Sequence, residues 1–163
     1  MSDWKHDVVV GVADCRVTRD RGSSIVTYAL GSCIAVTVHD PVARVAGMLH
    51  LMLPESALDP VKAQQNPCIF ADTGIAFLLE RVCAEGAGRE RLVVRVAGGA
   101  QVMDEAGVFN IGRRNCQAVR EVLSRAGLRV ETEWIGGRDS RTVRLEVDSG
   151  RFLVSGPGMK TTG

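Results

Sequence analysis

Between Val8 and Leu53 the chain is a succession of runs rich in valine, isoleucine, leucine and threonine, separated by turn residues. This crowding of strand formers into one third of the sequence constrains the fold more than any other feature. Strands are predicted over Val8–Val17, Ser24–Leu30, Cys33–His39 and Val45–Leu53. The stretch HDPVARVAG from His39 to Gly47 supplies a hairpin turn, since Pro41 fixes φ and lacks a donor. Cys33 and His50 therefore fall on strands expected to pair antiparallel.

Beyond Leu53 the pattern changes. Residues 54–67 carry three prolines and no sustained period, and read as a long loop. Ile69, Phe70, Ile75, Leu78, Leu79, Val82 and Cys83 then recur at helical spacing, with Asp72 or Thr73 near the start and Gly86 and Gly88 at the end. A strand over Arg91–Ala97 stops at Gly98-Gly99. A second helix is expected on Cys116, Val119, Val122 and Leu123, with Asn110 as its cap and Gly127 as its stop. Leu128–Ile135, Thr142–Val147 and Arg151–Val154 close the series as strands. The order implies an α/β layered sandwich with a largely antiparallel or mixed β-sheet and two main helices, without regular βαβ alternation. With 163 residues, a single domain over 1–155 is expected. The glycine-rich residues 156–163 read as a disordered tail.

Charge and cysteine spacing narrow the chemistry. Twenty basic and 19 acidic side chains leave a net charge of +1, which favours neither nucleic acid nor an anionic membrane surface. Met1–Asp7 is polar, unlike a secretory signal, and no run approaches a membrane-spanning length, so a cytoplasmic protein without membrane insertion is expected. Five scattered cysteines without a CxxC pair argue against a disulfide framework and against a zinc site, leaving free thiols and no metal centre. Gly98-Gly99 matches no phosphate-binding motif, and Arg138, Arg141 and Arg144 lack the interleaved aromatics of a nucleic-acid platform. The acidic residues from Glu131 to Asp148 read as solvated strand faces.

Three histidines are present. His6 lies in a frayed terminus, and His39 precedes the hairpin tip in the pattern of an exposed strand end. His50 interrupts the apolar run GMLHLMLP, where an imidazole needs a partner. It fits two readings, a core histidine satisfied by a backbone carbonyl or a catalytic base. Cys33 follows Leu30-Gly31-Ser32, small residues that leave room for a substrate and for backbone donors; it is either a buried structural thiol or a nucleophile activated by a histidine on the paired strand. Thr27 is either an ordinary β-branched strand former or a third group orienting the imidazole.

Taken in order, LGSC at Leu30–Cys33, HDP at His39–Pro41, HLMLP at His50–Pro54, ADT at Ala71–Thr73, AGGA at Ala97–Ala100, NIGRRN at Asn110–Asn115 and Gly136-Gly137 before Arg141 resemble the CheD family from about Val8 to Val154. The resemblance implies an α/β sandwich and a chemoreceptor glutamine deamidase, with Cys33 as nucleophile, His50 as base and Thr27 as its orienting partner. It implies a thioester intermediate, no metal or organic cofactor, and methyl-accepting chemotaxis receptors as substrate. Ser32 and Gly31 are expected near the oxyanion. The phosphatase CheC is an implied partner, with the loop after Ala100, carrying Gln101, Val102, Met103 and Asp104, as its candidate surface. Two other readings compete: a non-catalytic binding module of the chemotaxis machinery, and a redox sensor using Cys33.

Overall fold

The strand formers of the first third divide between two sheets. The computed structural model describes residues 6–101, 110–157 and 159–162. In chain order the elements are β1 (His6–Val9), β2 (Asp14–Thr18), β3 (Ser23–Leu30), β4 (Ile34–Asp40), β5 (Val45–Leu51), α1 (Pro60–Gln65), α2 (Ala71–Ala84), β6 (Val93–Gly98), α3 (Ile111–Arg125), β7 (Val130–Ile135), β8 (Arg141–Glu146), β9 (Phe152–Gly156) and β10 (Met159–Thr162). They build two five-stranded sheets, ordered β1-β3-β8-β9-β10 and β2-β5-β4-β6-β7.

The period-2 alternation of strands assigns the layers. On β4, Ile34, Val36 and Val38 join Leu49 and Leu51 of β5 beneath Ile75, Leu78 and Val82 of α2 and Val119 and Leu123 of α3. The opposite face of the same sheet carries Ala35, Ala46, Met48 and Ala97, which pack against Ile25, Val143, Leu145, Phe152 and Val154 of the other sheet. Helices, sheet and second sheet thus form three layers, and β4 and β5, covered on both sides, are buried at every position. The expected layered α/β sandwich with mixed sheets and two main helices is the observed one.

Local differences have local causes. The single strand expected over Val8–Val17 is two, because the chain leaves the first sheet after Val10 and enters the second through Gly11–Ala13, with Ala13 at φ 56°. His6, expected in a frayed end, lies in β1 and shares a 2.8 Å hydrogen bond with Ser23 Oγ. One βαβ unit is present after all: α3 connects β6 to β7, which pair parallel. Residues 54–67 hold α1 and short 3-10 turns, since Pro60 and Pro67 occupy first-turn positions where the missing N–H breaks no bond. In the glycine-rich tail, Met159–Thr162 pairs antiparallel with β9. At the end of α3 the expected stop operates: Gly127 takes φ 73° and Leu128 N–H returns to the Leu123 carbonyl at 3.0 Å. Asn110 stands at the start of α3 but in the left-handed region, without a side-chain cap bond to the helix. No helix among the described residues is long and apolar enough to cross a membrane.

His39 is not the exposed residue its position suggested. It faces the β1-β3-β8-β9-β10 sheet, 3% exposed, and donates from Nε2 to the Val147 carbonyl at 2.8 Å, with Gly150 leaving room for the ring. Its burial is explained by the layer beneath it, which the hairpin alone does not reveal. Neighbouring Asp40 is fully buried and accepts from Gly88 N–H at 2.7 Å, Val42 N–H at 2.8 Å and Ala43 N–H at 3.1 Å, and pairs with Arg91 at 2.8 Å. Burial pushes this carboxyl's pKa up, but the Arg91 guanidinium and the three amides outweigh it and hold it well below the usual carboxylate range. A depressed acid contributes stability above its unfolded pKa, about 3.9, and that contribution is lost as pH falls through the folded value. Thermal melts are therefore expected to lose stability as pH drops below about 4. Asp40→Asn is expected to melt lower at neutral pH and to show a shallower acid dependence. An Asn variant with the parent's melting temperature at pH 7 would refute this role.

Candidate active site

The crossing between the sheets shapes the site. Val10 N–H donates to Val26 of β3 at 2.8 Å, and three residues on Ala13 N–H donates to His50 of β5 at 2.8 Å, so this short segment stitches the two sheets together beside β5. In β3 the ladder to β8 is interrupted between Thr27 and Leu30, and Ala29 takes φ 53°. The irregularity leaves Thr27 pointing inward, 1% exposed, while Tyr28 is 49% exposed.

Thr27 and His50 meet between the layers, with Oγ1 2.8 Å from Nδ1. The same hydroxyl lies 2.7 Å from the Val10 carbonyl, which can only accept. The single hydroxyl proton therefore goes to Val10, and Thr27 accepts from Nδ1–H of His50. This fixes the imidazole tautomer and puts the lone pair on Nε2.

Cys33 lies in the bend just before β4, half-buried and packed against the inter-sheet cluster. His50 pairs with Ala35, and Cys33, two residues before Ala35, packs against the same inter-sheet cluster as Ala35. The bend is held from one side at every carbonyl: Gly31 accepts from Ala100 N–H at 2.9 Å, Ser32 from Asn115 Nδ2 at 2.9 Å, and Cys33 from Gly99 N–H at 2.9 Å. Gly98 closes the approach, since a Cβ there would collide with the Cys33 carbonyl. Burial raises the Cys33 pKa, partly offset by its own backbone N–H. Burial lowers the pKa of His50. Both shifts favour the uncharged forms, a thiol and an imidazole.

Of the residues singled out in the sequence, Thr27 and His50 are in contact, Cys33, Ser32 and Gly31 form the adjoining bend, and His39 lies elsewhere. Three contributors were missed. The Val10 carbonyl leaves no side-chain signal. Asn115 interrupts a buried helical stripe, as His50 interrupts a strand, and could have been flagged by the same reasoning. Arg141, noted in the sequence only as part of a short basic group, is 6% exposed and donates to Gly98 at 3.0 Å, to Trp134 at 2.7 Å and to Gly136, supporting the glycine corner behind Cys33. Beyond Gln101, the loop expected to meet CheC lies outside the described residues.

The chain has relatives among known proteins. Residues 52–156 match the family described as CheD chemotactic sensory transduction. A protein of Solibacter usitatus named "Probable chemoreceptor glutamine deamidase CheD" is 51% identical over 153 residues, covering 94% of this chain and 90% of its own. "Probable chemoreceptor glutamine deamidase CheD 2" of Anaeromyxobacter dehalogenans is 51% identical over 147 residues, covering 90% and 92%. A Pyrococcus abyssi protein with the first of these names is 37% identical over 151 residues, covering 91% of each. With both the family match and full-length relatives at this identity, the chain belongs to the CheD family.

Proposed function

We propose that the protein is a chemoreceptor glutamine deamidase in which Cys33 is the nucleophile, His50 the general base and Thr27 the residue that orients it. The observation that carries this reading is the Val10–Thr27–His50 chain of hydrogen bonds, which leaves Nε2 as proton acceptor on the strand paired with β4, just after Cys33. The names of the family relatives supply the substrate class. His50 takes the thiol proton as the sulfur attacks the glutamine carboxamide carbon. The tetrahedral intermediate collapses to a thioester as His50 returns the proton to departing ammonia. Water, deprotonated by the same nitrogen, then releases glutamate and the free thiol.

Val12, Tyr28 and Met52 are exposed and flank this machinery in sequence, an apolar rim suited to the surface of a receptor's cytoplasmic helices. A cytoplasmic location follows from that substrate. CheC is the second proposed partner, at the surface after Ala100.

Because burial holds the His50 pKa below 6.5, its base form persists through the neutral range. Protonated His50 cannot accept the thiol proton, so kcat/KM is expected to fall only as pH drops through that lowered value. A profile whose acid limb is centred above pH 6.5 would contradict the neutral pair. The proposal itself is tested by mass spectrometry of a purified receptor cytoplasmic domain incubated with the protein. Site-specific glutamine-to-glutamate conversion is expected. Binding without conversion would instead make the protein a non-catalytic module.

A further inference from the structure

The stripe that α3 buries consists of Gly112, Asn115, Cys116, Ala118, Val119 and Leu123, in which Asn115 is the one carboxamide, at 0% exposure. Both protons of its Nδ2 are used, one on the Ser32 carbonyl and one on the Met52 carbonyl, each at 2.9 Å. The alternative amide orientation would set Oδ1 against two carbonyl oxygens, so the donor assignment is forced. Oδ1 is left buried with no partner among the described residues. An unpaired buried acceptor is a destabilising feature, and its retention points to what Nδ2 does at the two carbonyls.

Those carbonyls belong to the two segments that bear the reacting groups. Ser32 precedes Cys33, and Met52 follows His50 by two residues. The Ser32–Cys33 peptide is trans, so its C=O and N–H point in opposite directions. Pinning the carbonyl toward α3 turns the N–H of Cys33, the residue whose sulfur attacks, away from α3. When that sulfur is bonded to a carboxamide carbon, the oxygen on that carbon comes within reach of the same N–H. Among the described residues, no carbonyl outside the strand ladders accepts from the Ser32 or Cys33 amide, so neither is already committed by a loop contact.

Building on the assignment of Cys33 as nucleophile, we infer that Asn115 is a positioning residue for the deamidation. Its bond to Ser32 aims the Cys33 amide at the oxyanion of the tetrahedral intermediate, and its bond to Met52 holds that bend at a fixed place relative to His50. Asn115 acts through the backbone and touches no substrate.

The test separates acyl chemistry from simple thiol reactivity. Asn115→Ala and the isosteric Asn115→Asp are compared with wild type in receptor-domain deamidation and in alkylation of Cys33 by iodoacetamide, a displacement that develops no oxyanion. The expected result for both variants is a kcat lower by roughly 10²- to 10³-fold, with KM and the Cys33 alkylation rate within about threefold of wild type, the scale of an undisturbed thiol–imidazole pair. Asn115→Ser, which keeps one donor and is the smaller perturbation should the alanine variant fold poorly, is expected between these and wild type. Variants with wild-type kcat would overturn the inference. So would variants in which alkylation falls in step with kcat, because Asn115 would then only maintain the structure. Wild-type protein that deamidates nothing would remove the underlying reading, whereas an active wild type beside fully active Asn115 variants removes this inference alone.

Discussion

Replacing Cys33 with alanine is expected to cut deamidation of a receptor glutamine by roughly 10⁴-fold or more, as loss of a nucleophile does in other acyl-transfer enzymes. The amides of the bend and the His50 base would remain, but without sulfur no thioester forms, and direct attack by water is left with the residual electrostatic assistance of the site. Folding is expected to be preserved, because Cys33 is half-buried at the margin of the inter-sheet cluster and alanine retains its Cβ. Receptor binding is likewise expected to persist. Exposed Cys83, on the far end of α2, provides the control: its alanine variant is expected to match wild type. Time courses of glutamate formation by mass spectrometry decide the matter, and a Cys33→Ala protein that converts at the wild-type rate would refute the nucleophile.

The second large effect is expected at His50. His50→Ala removes the acceptor of the thiol proton and the donor of the ammonia proton together, for a loss of about 10³- to 10⁴-fold in kcat. Its neighbour distinguishes base from orienter. Thr27→Val keeps the shape but leaves Nδ1–H and the Val10 carbonyl without their shared partner, so a smaller loss of about 10²-fold is expected from a misdirected imidazole. Thr27→Ser retains the hydroxyl and both hydrogen bonds, and is expected to recover most of the activity. If valine were as active as serine, Thr27 would be a strand former and nothing more.

Much of this was legible in the sequence, and what was not follows a pattern. The strand formers in Cys33–His39 and Val45–Leu53, with Pro41 between, were enough to pair β4 with β5. Local chemistry located α2, α3 and the Gly127 stop for the same reason. What periodicity cannot report is which layer covers a strand: His39 looked exposed because nothing near it in sequence announces Val147, and the role of Arg141 was hidden because its acceptors are main-chain carbonyls. The crossing at Gly11–Ala13 was invisible because a continuous valine-rich run gives no sign that one strand passes from sheet to sheet. The Val10 carbonyl and the held carbonyls of the nucleophile bend are main-chain groups, and only the assembled fold places them.

The division of the site between two sheets also sets when it comes into being during synthesis. Cys33 and His50 lie on a hairpin that closes as soon as residues 34–51 have emerged. Thr27, by contrast, is on β3, whose antiparallel neighbour β8 runs from Arg141 to Glu146, and the corner behind the nucleophile is completed by Asn115 and Arg141. A nascent chain thus carries its thiol and its imidazole for most of its translation without the groups that aim them. The proposed site is therefore expected to become competent only when these late segments dock.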